Sequence, residues 1–154
     1  MSPEGSTVTI DEAVKPLLAR RAPARRIQAF ALELQETVAR GRPFGCLITS
    51  NEDMQRLNAQ FRRKNKPTDV LSFPSGEKRG FLGDIAISAE LAAEQASELG
   101  HPVDKEIAIL MLHGLLHLLG LDHEKDDGRM ARAEKRWRAR LELPAGLIER
   151  VRGR

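Results

Sequence analysis

Cys46 is the only cysteine in the chain of 154 residues. A lone cysteine excludes an intrachain disulfide and a thiolate metal cluster, so any bound metal must be held by nitrogen and oxygen. Aromatics are scarce as well: five phenylalanines and one tryptophan are too few for broad stacking on a run of bases. No segment reaches the roughly 20 apolar residues of a membrane span, and the opening MSPEGSTVTIDEAVK lacks the basic start and apolar run of a secretory leader. A cytosolic protein without a membrane partner is expected. What is present, 41% hydrophobic and 31% charged residues, is the composition of an ordinary soluble globule of one domain spanning 1–154.

The net charge of +3 hides a segregation. Residues 61–80 hold six Lys/Arg against Asp69 and Glu77, and residues 128–154 hold nine Lys/Arg against three acids. The remainder is therefore acidic, and a polyanion would meet two attractive segments. Residues from about 145 to 154 are expected to form a flexible basic tail.

Hydrophobic periodicity and turn residues predict the elements. Thr7–Ile10 alternates as a strand, and Asp11 caps a short helix whose length Pro16 limits. Ile27, Phe30, Ala31, Leu34 and Val38 mark a helix from Pro23 to Arg40, closed by Gly41. Phe44–Thr49 is a strand, and a helix capped by Ser50 or Asn51 follows with Met54, Leu57, Asn58 and Phe61 on its inner face. Strands Val70–Phe73 and Leu82–Ser88 come next, then a helix from Ser88 to Gly100. Val103–Leu119 is so apolar that it must be central and buried. A last amphipathic helix runs from about Asp127 to Leu143. Interleaved helices and strands imply an α/β or α+β fold, a single small mixed sheet of about four strands covered by helices.

The chemistry concentrates in HGLLHLLGLDH. His113 and His117, four apart on a helix, project from one face about a turn apart and can share an ion. Gly120 can take the left-handed conformation that brings Asp122 and His123 back over that face. Three protein ligands leave one tetrahedral position open, as in catalytic zinc sites, where bound water has a pKa of about 7. Three imidazoles also accept nickel, copper or cobalt. One divalent transition metal per chain, Zn2+ first, is expected. Asp122 is a candidate for orienting a histidine from behind. Asp84, in LGDIAIS, alternates onto the face opposite Ile85 and Ile87 and is a candidate cleft residue. Glu124, Asp126 and Asp127 suit the N-terminus of the last helix, and His101 is read as a surface residue.

HGLLHLLGLDH, with FRRKNKPTDVLSFP and LGDIAIS, resembles the YbeY family of bacterial rRNA maturation factors, over Asn58 to about Asp127. The resemblance implies a compact α/β fold with a central helix and a metal on His113, His117 and His123. It also implies endoribonuclease activity on ribosomal RNA, in maturation of the 3′ end of small-subunit rRNA and in ribosome quality control. The small subunit or its associated proteins become expected partners. The family's functional arginine corresponds to Arg62, a candidate for stabilising charge on phosphorus, and Arg63, Lys64 and Lys66 are candidate RNA contacts.

Two rivals stand beside a single-strand-directed endoribonuclease. In one, the metal only staples the turn to the helix of a non-catalytic module that docks on ribosomal RNA or protein. In the other, the chain is a metalloprotease of metzincin type or another metallohydrolase; in metzincins a glutamate follows the first histidine as general base, whereas here Gly114 does.

Overall fold

The computed structural model describes residues 5–62, 68–122 and 127–144, for Arg62 the backbone only. Four strands, β1 (Thr7–Ile10), β2 (Gly45–Thr49), β3 (Val70–Pro74) and β4 (Gly83–Ser88), form one mixed sheet in the order β1-β2-β4-β3. β2 runs parallel to both β1 and β4, while β3 pairs antiparallel to β4 and forms an edge. Pro74 ends that edge strand, where a missing ladder donor is tolerated. Six helices accompany the sheet: α1 (Lys15–Leu18), α2 (Ala24–Thr37), α3 (Asn51–Arg62), α4 (Ala89–Leu99), α5 (Val103–Leu118) and α6 (Arg129–Arg140). The expected α+β architecture is present.

Local chemistry accounts for the boundaries. Ser50 Oγ accepts from the Asp53 amide at 3.2 Å at the start of α3. Ser88 Oγ accepts from the Leu91 amide at 3.1 Å at the start of α4. Both satisfy amides that a helix start leaves without partners. Gly100, at φ 73°, ends α4.

Alternation along β4 sorts its side chains onto two faces. Ile85 and Ile87 join the main core with α5, whereas Ala86 joins a smaller cluster with Met54 of α3 and Leu71 of β3. So α5 and α3 cover opposite faces. Thirteen of the sixteen α5 residues are buried, which makes this helix the axis on which α2, α4, α6 and the β3–β4 pair converge.

Three expectations need correction. Phe61, expected inside, is 57% exposed, because it stands in the last turn of α3 against Phe73 of the edge strand β3. Asp11 caps a single 3-10 turn, Glu12–Val14, which stops short of Pro16 as expected; Pro16 itself lies in the first turn of α1, a position that suits proline. α6 begins at Arg129, because Asp127 (φ 54°) and Gly128 (φ 86°), the N-cap, are both left-handed. His101 is half-buried, not a surface residue: the Gly100 turn brings it back against α5, with Nε2 2.6 Å from Glu106 Oε1. The expected tail, 145–154, lies outside the described residues.

Candidate metal centre

His113 and His117 stand one turn apart near the C-terminal end of α5, their ring centroids 4.9 Å apart and their planes at 73°. His113 is buried and His117 half-buried. The helix ends on a double turn: the Gly120 amide donates to the His117 carbonyl at 2.9 Å and the Leu121 amide to the Leu116 carbonyl at 3.1 Å. With Gly120 at φ 95°, these two bonds form a Schellman motif, which satisfies terminal carbonyls and reverses the chain. Asp122 is half-buried just beyond it. His123, the third expected ligand, lies outside the described residues. Among the described residues no group of three or more His, Cys, Asp or Glu is arranged to hold a metal.

Behind His113 stands a residue that the sequence reading passed over. Glu134 Oε2 of α6 lies 2.7 Å from His113 Nδ1, with the glutamate side chain 1% exposed. Glu134 is the sole acid of α6 and shares its buried face with Met130 and Ala133. An acid on the apolar face of an otherwise basic helix is the signal that points to it.

Gly114, between the two histidines, faces the sheet. A Cβ there would stand 2.8 Å from Ile85 Cγ2 and 3.2 Å from Ser72 Oγ. Ser72 Oγ donates to the Gly114 carbonyl at 2.9 Å. There is no room at this position for the carboxylate a metzincin-type peptidase places after its first histidine.

Arg62 is the last residue of α3; its side chain, with Arg63, Lys64 and Lys66, lies outside the described residues. Its neighbour Phe61 packs edge-on against Phe73 of β3, centroids 5.4 Å apart. The next strand residue inward, Ser72, meets α5 at Gly114. One edge strand thus separates the α3 terminus from the histidine helix. Asp84 is not brought to the histidines: it is exposed on the sheet face opposite Ile85, and its carboxylate fills the space over Gly45 that a Cβ would take. Cys46, beside it on β2, is buried. Burial, and then the charge of Asp84, push its thiol up to about 12, so it stays protonated and is no ligand.

Two histidines on one turn, one backed by a buried carboxylate, suit a borderline transition ion: the imidazole nitrogens are its usual donors and the carboxylate fixes one ring. The fold and this site define a small α+β protein with a histidine-bearing central helix. A family model for endoribonuclease YbeY matches residues 18–142. The chain is 59% identical over 150 residues to endoribonuclease YbeY of Solibacter usitatus, covering 97% of each chain. It is 55% identical over 105 residues to endoribonuclease YbeY of Koribacter versatilis, covering 68% of each. The solution structure of TM1509 from Thermotoga maritima superposes with a TM-score of 0.56 at 28% identity, over 86% of this chain and 85% of that one. This chain belongs to the endoribonuclease YbeY family. Among its described residues no helix is long and apolar enough to cross a membrane.

Proposed function

We propose that this chain is a metal-dependent endoribonuclease that cleaves single-stranded RNA, with His113, His117 and His123 holding one divalent transition ion, Zn2+ first. The observation that carries the reading is the His113–His117 pair on one face of α5, with His113 tied to Glu134. Such an ion, when bound, would supply Lewis acidity and lower the pKa of a water it holds. The remaining work falls to the chain itself. Arg62 stabilises the charge that builds on phosphorus, and Arg63, Lys64 and Lys66 contribute cationic contacts to the RNA backbone. Phe61, exposed directly before this cationic run, offers one aromatic face to a base. Family membership extends the proposal to a cytoplasmic setting, to ribosomal RNA near the 3′ end of the small-subunit species, to ribosome quality control, and to the small subunit or its associated proteins as partners.

The test is single-stranded RNA cleavage by purified wild type, His117→Ala and Arg62→Ala, with metal quantified in each. About one ion in wild type, activity lost in both variants and metal kept in Arg62→Ala supports the assignment and both roles. Wild type that holds its ion and binds RNA without cutting it would leave a non-catalytic module.

A further inference from the structure

A carboxylate as deeply buried as that of Glu134, 1% exposed, is unfavourable through lost hydration unless partners compensate. It could serve as a tie between α6 and α5. The atom it meets says more. An ionised carboxylate can only accept, so its bond to His113 requires the proton on Nδ1. A neutral imidazole carries one such proton, so Nε2 is then the unprotonated ring nitrogen. That is the tautomer a metal needs, and a negative charge behind the ring makes Nε2 a stronger donor. The same contact locks the ring against rotation, with the His117 ring edge-on 4.9 Å away.

We propose that Glu134 is a positioning residue for the metal site: it holds His113 in the Nδ1–H tautomer, aims Nε2 at the ion and raises metal affinity through that ring. The proposal rests on the metal reading above. It also explains why the one acid of α6 sits on the docking face, when the other eleven positions carry only basic and uncharged residues.

The experiment uses the full chain, as wild type, His113→Ala, Glu134→Gln and Glu134→Ala. Zn2+ affinity is read by competition with a chromophoric chelator. Thermal stability is measured on the metal-free proteins, and the His113 proton is located by long-range 15N–1H correlation. Glutamine keeps the volume and an oxygen for Nδ1–H but removes the charge. Glu134→Gln should therefore unfold near the wild-type temperature while binding Zn2+ roughly 10- to 100-fold more weakly, and wild type should show the proton on Nδ1. Should Glu134→Ala fail to fold, the glutamine variant still decides. If Glu134→Gln binds Zn2+ as tightly as wild type while His113→Ala does not, Glu134 is only a helix tie and the proposal falls with the metal site intact. If His113→Ala binds as tightly as wild type, or wild type does not bind, the metal reading fails and takes this one with it.

Discussion

Ser72 Oγ donates a 2.9 Å hydrogen bond to the Gly114 carbonyl, joining the edge strand to the helical turn between two histidines. The contact is as close as it is because Gly114 has no side chain. Alanine in a helix interior ordinarily gains about 1 kcal/mol over glycine. Here the added methyl would press on Ile85, a fully buried β-branched residue, and overpacking of that kind costs about 1–3 kcal/mol. Gly114→Ala should therefore lower the melting temperature, and Gly114→Glu should lower it further without creating peptidase activity. A Gly114→Ala protein that melts higher than wild type would show that α5 is not clamped to the sheet at this point.

Phe61 should matter to RNA and little to the fold. Its ring leans on Phe73 but is 57% exposed, and a stacked base is worth about 1–3 kcal/mol by alanine substitution. Phe61→Ala should weaken binding of a single-stranded oligonucleotide by roughly 5- to 100-fold, and Phe61→Trp should restore it. Fluorescence anisotropy at fixed salt reads both. Unchanged affinity in the alanine variant would remove Phe61 from the binding surface.

RNA affinity should fall steeply with salt, because phosphate contacts release counterions with a slope of about −0.7 per contact on single strands. Arg63→Ala and Lys64→Ala should each shallow the slope by somewhat less than one. A nearly flat dependence for wild type would rule out an electrostatic groove.

Asp11 carries an acid-sensitive contribution to stability. Its carboxylate accepts from the Ala13 amide at 3.2 Å and from Thr49 Oγ1 at 2.9 Å. First the amide and then the hydroxyl hold its pKa below the ordinary 3.8, with Arg56 adding to the effect and desolvation opposing it. The folded value is the lower one, so the contribution is complete above about pH 4 and disappears as pH falls through the folded pKa. Asparagine can still cap the turn. Asp11→Asn should thus lose less stability than wild type between neutral pH and pH 3 in denaturant titrations; parallel acid limbs would refute this.

Cys46 should resist thiol reagents at pH 8 in the native protein and react once in denaturant. Its protonated thiol sits 3% exposed in the sheet, and thiolate is the reactive form. Rapid labelling of the folded chain would mean that β2 opens readily.

The elements most legible in the sequence were those written locally. Ser88 with Gly100, and the apolar run from Val103 to the Gly120 turn, announced α4 and α5 because capping and periodicity depend on near neighbours. The alternation through Ile85 and Ile87 placed Asp84 on the far face, and the structure keeps it there, away from the histidines. Glu134 was counted only as a charge in a basic segment, since its importance depends on α6 docking against a residue 21 positions earlier. Phe61 follows the helical period of Met54 and Asn58, but period alone does not say where the sheet beneath a helix stops. His101 was misread for the same reason: the partner that draws it inward, Glu106, becomes its neighbour only after Gly100 turns the chain.

The burial of α5 sets a timescale for the two histidines it carries. Amide hydrogens between Ile107 and Leu116 lie in hydrogen bonds walled off by five neighbouring elements, so solvent deuterium should reach them only when the whole molecule opens. The spacing between His113 and His117 would then outlast any fluctuation short of global unfolding, and the chain would meet each arriving ion with two of its three proposed donors already rigid.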